Sequence, residues 1–327
     1  MAQLEVSDVA GTAVATTPLE DGRIVMTLCG SRDTYVRLGE DYIESGCRVR
    51  DREEGFLTDS VVTSGSVDTS KVGDYTITYT VTNAEGMQAQ CERVVHVADD
   101  MEWDTDGIPV TMYHYVYDPE DPPDDVGSNH VSTDEFEAQL EWLTSEGFYF
   151  PSWEELRAYI DGTHSLPAKS IILSFDDGEI GFLTYGAALL EKYQVPATSF
   201  IICDYEFIED ILSDYASPYV QFESHSYGLH QSGSSGQGRG GRIYDLSVDE
   251  LVDDLQHTAD ILDAHSAFAY PFGDVSDTAK EALDRAGYLC AVTTENDQAH
   301  VGDDYSRIPR VRVFGGNSLD SFKASVL

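Results

Sequence analysis

The sequence predicts a multidomain protein in which a small all-β sandwich precedes an α/β region with a parallel sheet. Two observations predict this order. From about Ile24 to Val97 apolar and polar residues alternate, and this period of two is typical of half-buried antiparallel strands. From Ile108 onward, short apolar strands alternate with amphipathic helices, which favours a parallel sheet, either open or closed to a barrel.

We expect four segments along the chain. They are a flexible leader over residues 1–21, the sandwich over 22–98, an acidic linker over 99–107 and the α/β region over 108–327. The clearest strand of the sandwich places four apolar residues on one face, namely Tyr75, Ile77, Tyr79 and Val81.

Helix starts and strands in the α/β region follow from local signals. Three capping boxes, Ser132–Glu135, Ser152–Glu155 and Ser247–Glu250, predict helix amino termini. The run Ser170–Phe175 is typical of a fully buried parallel strand. Further strands are expected over 108–115, 197–203, 267–270 and 289–293, and further helices over 180–193 and 278–287.

Composition excludes several classes of function. The 327 residues hold 60 Asp and Glu against 19 Lys and Arg, a net charge of −41. Nucleic-acid binding needs a basic face, so DNA and RNA are excluded as partners. Docking on an anionic membrane through basic residues is excluded for the same reason. Hydrophobic residues make up 41%, which is enough for folded cores and argues against disorder.

Neither a membrane span nor a thiolate metal site is predicted. No run of about 18 apolar residues occurs, and the first twenty residues lack the basic and apolar regions of a signal peptide. Five cysteines are present without a Cys-x-x-Cys pair. One disulfide among Cys29, Cys47 and Cys91 is compatible with an oxidising compartment, and the sequence does not choose the pair.

Three motifs carry the candidate chemistry, and two of them follow predicted strands, where α/β proteins place their sites. In Ser174–Gly178, Asp176 and Asp177 stand together at the end of the buried strand, although Asp-Gly is also a turn signal. In the second motif His225 and His230 lie five residues apart in a glycine-containing loop. Two imidazoles and a carboxylate form a metal-binding set with open positions. The third motif, Phe268–Gly273, is an aromatic Pro-Gly loop.

Both regions resemble known families. The segment GSVDTSKVGDYTITYTVTNAEG is similar to bacterial immunoglobulin-like repeats, which implies a spacer or carbohydrate-contacting module. ILSFDDG, HSYGLH and YPFG, in this order, resemble the three motifs of polysaccharide deacetylases with a NodB-homology domain, carbohydrate esterase family 4. That resemblance covers residues 107–327 and implies an irregular (β/α) barrel that removes acetyl groups from carbohydrate with a bound metal.

The deacetylase resemblance also implies residue roles. Asp176 would be the general base, and Asp177, His225 and His230 would bind the metal. Zn²⁺ is favoured, with Co²⁺ or Ni²⁺ as alternatives. A backbone N–H near Phe272 would stabilise the oxyanion, and the substrate would contact the third motif through Tyr270, Pro271 and Phe272.

Three features depart from the family pattern. The histidine spacing is five rather than four, as in the branch that acts on poly-N-acetylglucosamine. The third motif lacks the arginine that orients the base, for which Arg310 is the best substitute. The C-terminal region lacks the catalytic histidine, so the general acid is unassigned and His114 is the candidate; it could equally be an ordinary histidine at a strand end.

The sequence leaves several functions open. The leading hypothesis is an extracellular or wall-associated enzyme, favoured as a monomer, that removes acetyl groups from an N-acetylglucosamine polymer. The alternatives are an inactive carbohydrate-binding surface protein and an O-acetyl esterase acting on a xylan-like glycan. The charge of −41 could hold deacetylated, cationic chains, but salt adaptation of the whole proteome explains it better.

Overall fold

Seven strands build the first region of the computed structural model, which describes residues 22–327. The leader expected over residues 1–21 lies outside the described residues. The strands are β1 (Ile24–Leu28), β2 (Asp33–Arg37), β3 (Cys47–Asp51), β4 (Gly55–Phe56), β5 (Val62–Ser64), β6 (Gly73–Thr82) and β7 (Gln88–Ala98).

These strands form two sheets that enclose one core. β1, β3 and β4 pair antiparallel, and the second sheet has the order β2-β7-β6-β5, with β2 parallel to β7. On β6 the side chains of Ile77, Tyr79 and Val81 are buried while the threonines between them face outward. The alternation in the sequence thus gives the predicted all-β immunoglobulin-like sandwich.

The second region alternates strands with helices. Its strands are β8 (Thr111–Met112), β9 (Tyr115–Tyr117), β10 (His130–Ser132), β11 (Ser174–Phe175), β12 (Ala197–Ile201), β13 (Val220–Ser224), β14 (Ala267–Ala269), β15 (Cys290–Val292) and β16 (Val311–Arg312). Its helices are α1 (Thr133–Ser145), α2 (Trp153–Ile160), α3 (Ala187–Tyr193), α4 (Ile208–Asp214), α5 (Val248–Leu262), α6 (Asp277–Ala286) and α7 (Leu319–Val326). Across residues 22–327, none of the helices has the length and apolar character that crossing a membrane requires.

Parallel strand pairs form an irregular barrel. β11 to β15 form one sheet in chain order. β8 pairs with β16, and the bridge from Tyr113 to Phe175 joins this pair to β11. A bridge from Val292 to Ile308, three residues before β16, joins the other edge. The predicted α/β class and barrel are therefore present, and the carboxyl ends of the strands meet at one mouth.

Local signals located helix starts better than strand bounds. Ser132, Ser152 and Ser247 each form a complete capping box with the glutamate three residues later. The single strand predicted over 108–115 is instead divided between β8 and β9, because the chain leaves the barrel after Tyr113 to pair with β10. The helix predicted over 180–193 begins with a π-helical turn, Phe182–Gly186.

The sandwich packs on the end of the barrel opposite the mouth. Its contacts include two on segments that precede barrel strands and one on a barrel strand itself. The Ser31 backbone N–H donates to the carbonyl of Phe150, and the Thr27 hydroxyl donates to that of Ser217. Arg48 of β3 reaches the buried Glu223 of β13, with Nη2 and Oε1 2.5 Å apart. The sandwich thus closes the amino end of the barrel.

The acidic segment expected as a linker is also bonded to the barrel. The Asp104 backbone N–H donates to the carbonyl of Leu166, and the Tyr159 hydroxyl donates to the Asp104 carboxylate at 2.7 Å. Trp103 forms a β-bridge with Pro167. Residues 99–107 therefore connect the two regions while packed along the barrel.

Candidate active site

The two adjacent aspartates of the first motif leave β11 in different directions. Asp176 is buried, with 3% of its surface exposed, whereas Asp177 adopts a left-handed backbone conformation with φ of 72°. Gly178 continues the turn at φ 69°, and a side chain there would collide with Ile201. This turn sends the Asp176 carboxylate into the barrel and the Asp177 carboxylate toward the histidines.

Arg310 holds the Asp176 carboxylate with two parallel hydrogen bonds. Its Nη1 and Nη2 each lie 2.6 Å from one carboxylate oxygen, and its Nε donates to the carbonyl of Thr293. Burial acts to raise the pKa of Asp176, but this paired guanidinium outweighs it, so the pKa lies well below its usual range. Asp176 is therefore ionised and fixed in direction.

The two histidines of the second motif face Asp177. The Nε2 atoms of His225 and His230 lie 3.4 and 3.5 Å from Asp177 Oδ1. His225 follows β13 and donates from Nδ1 to the carbonyl of Ala269 at 2.8 Å, which leaves Nε2 free as a ligand. Burial and the neighbouring His225 lower the pKa of His230, which favours its neutral form.

A carboxylate outside the predicted motifs supports the loop between these histidines. Asp254 of α5 accepts hydrogen bonds from the backbone N–H groups of Tyr227 and Gly228, at 3.0 and 2.7 Å. The His230 ring stacks on Phe272 with centroids 4.6 Å apart. Helix α5 and the third motif therefore hold the loop from both sides.

Asp177, His225 and His230 fit a divalent cation. Each offers one ligand atom, and these atoms all lie within 4.8 Å of one another. Two ligands bound at about 2.1 Å to one tetrahedral ion would be separated by roughly 3.4 Å. The observed separations agree, and two imidazoles with one carboxylate suit a zinc-type ion that keeps a position open for water or substrate.

The side chains of the motifs surround a cavity of about 330 Å³ at the mouth of the barrel. Asp176, Asp177, both histidines and His114 line it. His114 Nδ1 is buried and has no hydrogen-bond partner among residues 22–327. Burial lowers the pKa of His114, although the nearby aspartates oppose this shift.

The third motif meets this cavity through two of its three predicted substrate contacts. Tyr270 and Phe272 line the cavity, whereas Pro271 is buried and is not among the lining residues. Tyr270 is itself buried and donates its hydroxyl to the carbonyl of Ser306. Phe272 has φ of 61°, which turns its ring over His230.

Sequence reasoning missed five further residues of the cavity wall: Met112, Asn129, Arg239, Thr294 and Arg312. Arg239 lies in the Ser/Gly-rich loop after the second motif. Arg312 lies two residues after Arg310, and that spacing was the available signal, because alternate residues of an extended segment point to the same side.

An irregular (β/α) barrel carries at its mouth three residues that could hold a metal ion and a carboxylate held by an arginine, a set of groups suited to hydrolysis. Residues 163–291 match the family model for polysaccharide deacetylases, and residues 26–97 match the model for the immunoglobulin-like domain of bacterial surface proteins. The chain thus carries a polysaccharide deacetylase domain behind a bacterial immunoglobulin-like domain. The resemblance in the motifs is confirmed, and the class of enzyme is a carbohydrate deacetylase.

Individual proteins agree with this assignment. The chain is 26% identical over 212 residues to the poly-β-1,6-N-acetyl-D-glucosamine N-deacetylase of Staphylococcus epidermidis, covering 60% of this chain and 71% of that protein. The structure of deacetylase PplD from Streptococcus pyogenes superposes with a TM-score of 0.57 at 23% identity, over 68% of this chain and all of that one. IcaB from Ammonifex degensii gives a TM-score of 0.55 at 24% identity, over 67% and 95%. These two structures share the barrel fold.

Proposed function

We propose that this protein hydrolyses the N-acetyl groups of an N-acetylglucosamine polymer with the help of a divalent metal. The observation that carries the proposal is one cavity that holds the Asp177–His225–His230 set beside the Asp176–Arg310 pair. The polymer is suggested by the Staphylococcus relative, which is a poly-β-1,6-N-acetyl-D-glucosamine deacetylase.

Asp177, His225 and His230 would hold the ion. A bound Zn²⁺ lowers the pKa of water toward about 7 and polarises a carbonyl oxygen. Zinc is the preferred ion, with cobalt and nickel as alternatives. The left-handed backbone of Asp177 turns its carboxylate away from that of Asp176. The two adjacent aspartates can therefore take different roles, Asp177 as a metal ligand and Asp176 as the base.

Asp176 acts as the general base in this proposal. Arg310 fixes both of its oxygens, which keeps the carboxylate ionised and directed at the cavity. As water adds to the acetyl carbon, Asp176 accepts its proton. Arg310 is the positioning residue that the third motif lacks.

His114 is the candidate general acid. It lines the same cavity, and its buried Nδ1 has no hydrogen-bond partner among the described residues. When the C–N bond breaks, acetate leaves and the amine nitrogen needs a proton, which a protonated His114 would donate. Because burial lowers the pKa of His114, its protonated form gives up that proton readily.

Tyr270 and Phe272 form the wall against which the sugar would rest. The Phe272 ring lies beside His230, where it excludes water from one side of the metal set. We place the protein outside the cell or on the cell surface, because its first region matches the immunoglobulin-like domains of bacterial surface proteins.

Acetate release from N-acetylglucosamine oligomers tests this function. The zinc-loaded protein should release acetate, chelation should abolish release, and added Zn²⁺ should restore it. Asp176→Asn should lower kcat by roughly 10³-fold, whereas the exposed Asp249→Asn should not change it. Equal rates for wild type and Asp176→Asn would reject the mechanism, and an acetylated xylan as the better substrate would assign the O-esterase activity instead.

An inactive carbohydrate-binding protein is the second candidate from the sequence. Its motives are the missing third-motif arginine and the missing C-terminal histidine, of which the contact between Arg310 and Asp176 answers the first by supplying a guanidinium at the base. Glycan binding without acetate release in the zinc-loaded protein would favour it.

A further inference from the structure

Two arginines in the cavity wall have no role in the proposed hydrolysis. Arg312 lies on β16, two residues after Arg310, and lines the cavity at the mouth of the barrel. Arg239 comes from the loop after the second motif, and its Nη1 donates to the carbonyl of Phe272 at 3.1 Å. Both line the cavity that contains the metal set.

Neither arginine is neutralised by a carboxylate. Within residues 22–327, no ion pair joins Arg239 or Arg312 to an aspartate or glutamate at 4.0 Å or less. Arg312 Nη2 donates to the neutral Asn129 amide at 2.8 Å, its guanidinium lies over the Phe314 ring, and its buried Nε has no hydrogen-bond partner among the described residues. The lack of a carboxylate partner within residues 22–327 is unusual, because the chain has 60 acidic residues for 19 basic ones and buried donors normally find partners.

The acidic groups nearby are already engaged. Asp176 is paired with Arg310, and Asp177 faces the two histidines. Asp274 approaches the loop, but its two oxygens accept the backbone N–H groups of Arg239 and Gly241. With these groups paired, the two guanidinium groups leave the cavity locally cationic on a strongly acidic protein.

We propose that Arg239 and Arg312 form a subsite for an anionic substituent of the acetylated glycan, a carboxylate or a phosphate. This inference rests on the proposed deacetylase function and names its substrate class. A planar guanidinium offers paired N–H donors that match carboxylate and phosphate oxygens. The substrate is then an anionic glycan, for which a locally cationic pocket offsets repulsion from the acidic surface.

Binding of short oligosaccharides separates these charges from surface effects. The probes are three ligands of trisaccharide size. The first is a neutral N-acetylglucosamine oligomer, the second is an oligomer that alternates N-acetylglucosamine with a uronic acid, and the third is an N-acetylglucosamine oligomer that carries a phosphate monoester. Each is titrated by calorimetry into the zinc-loaded protein with Asp176→Asn and Arg310→Gln together, which removes both charges of that pair, so that hydrolysis stops and no third arginine is left unpaired. Both anionic ligands, or one of them, should bind about tenfold more tightly than the neutral ligand.

Substitution of the arginines then tests the subsite directly. In the double variant Arg239→Gln and Arg312→Gln, the preference for the anionic ligand should fall to near unity. The control Arg285→Gln, an exposed arginine on α6, should retain it. Tighter binding of the uronic acid ligand assigns a carboxylate, and tighter binding of the phosphate ligand assigns a phosphorylated glycan.

Two results would overturn the subsite. One is equal affinity for neutral and anionic ligands in the parent protein, and the other is a preference that survives in the double variant. Acetate release measured on the same three ligands with the zinc-loaded wild type keeps the two proposals apart. Release from none of them rejects the deacetylase function, whereas the binding comparison still decides the subsite.

Discussion

The two ends of the barrel each bury one arginine–carboxylate pair, but the arginines come from different regions of the chain. At the mouth, Arg310 and Asp176 both belong to the barrel. At the amino end, Arg48 of the sandwich pairs with Glu223 of β13. Glu223 stands two residues before His225, so one strand connects the interface with the metal set.

The geometry of the two pairs differs, and so does its effect on each carboxyl. Burial acts to raise both pKa values. Two bonds from one guanidinium reverse this for Asp176, whose pKa is lowered. Arg48 also points to the Ser266 hydroxyl and to backbone carbonyls, so burial prevails at Glu223 and its pKa is raised. The bidentate bonds from Arg310 therefore keep Asp176 ionised for its proposed role as base. Arg48, whose bonds are divided among several acceptors, instead joins the sandwich to the barrel.

Breaking the pair at the mouth should have the largest effect. In Arg310→Gln, Asp176 stays buried without its counter-charge, which should reduce stability by about 3 kcal/mol. Misdirection of the base should also lower kcat by roughly 10²-fold. Because Arg310 lowers the pKa of Asp176, its loss should move the acid limb of the rate profile to higher pH. Urea unfolding and acetate release across pH 3–8 measure both effects.

Arg310→Lys is the matched control for geometry. It retains the charge but not the two parallel bonds, so stability should recover more than kcat does. An unchanged acid limb in Arg310→Gln would show that Arg310 has no influence on the base.

Breaking the pair at the amino end should affect stability alone. Arg48→Met leaves Glu223 buried and unpaired, which should cost about 3 kcal/mol in urea unfolding. The kcat of the folded, zinc-loaded protein should stay close to that of the wild type, because Arg48 does not reach the cavity. Adding Glu223→Gln removes the unpaired charge and should restore more than half of the loss.

Arg37→Met, an exposed arginine of the sandwich, is the control and should change stability by less than about 0.5 kcal/mol. A fall in kcat for folded Arg48→Met would mean that the interface acts on the metal set through β13. No loss of stability would mean that the sandwich is only tethered to the barrel.

These two pairs also show how far the sequence could predict the molecule. Capping boxes are local signals, and they predicted the starts of α1, α2 and α5. The contiguous motifs are local too, and they identified the candidate site residues Asp176, Asp177, His225 and His230. Arg310 was proposed only as a substitute, because 134 residues separate it from Asp176. Arg48 gave no signal, since nothing local in β3 indicates a partner on β13, so the packed interface between sandwich and barrel was not predicted.

The smallest expected effect on stability concerns His96, at the edge of the interface between the sandwich and the barrel, because its charge changes with pH near neutrality. His96 of β7 lies between Asp33 and Asp74, and its ring stacks on Tyr35, which meets Tyr149 of the barrel edge-on. The bond to Asp33 raises the pKa of His96, with burial opposing it. Protonated His96 therefore stabilises the fold fully below its unfolded pKa of about 6.5, and this contribution is lost as pH rises through the higher folded value.

Replacing His96 should accordingly flatten the pH dependence of stability. The free energy lost in His96→Gln should be about 0.5 kcal/mol at pH 5.5, since the pair is partly exposed, and should approach zero by pH 9. Urea unfolding from pH 5.5 to 9 measures it, and exposed His265→Gln is the control. Added salt should shrink the difference, because it screens exposed charges. If the stability difference between wild type and His96→Gln instead grows with pH, the expected sign is wrong. The neutral ring of His96, stacked on Tyr35, would then be the stabilising form.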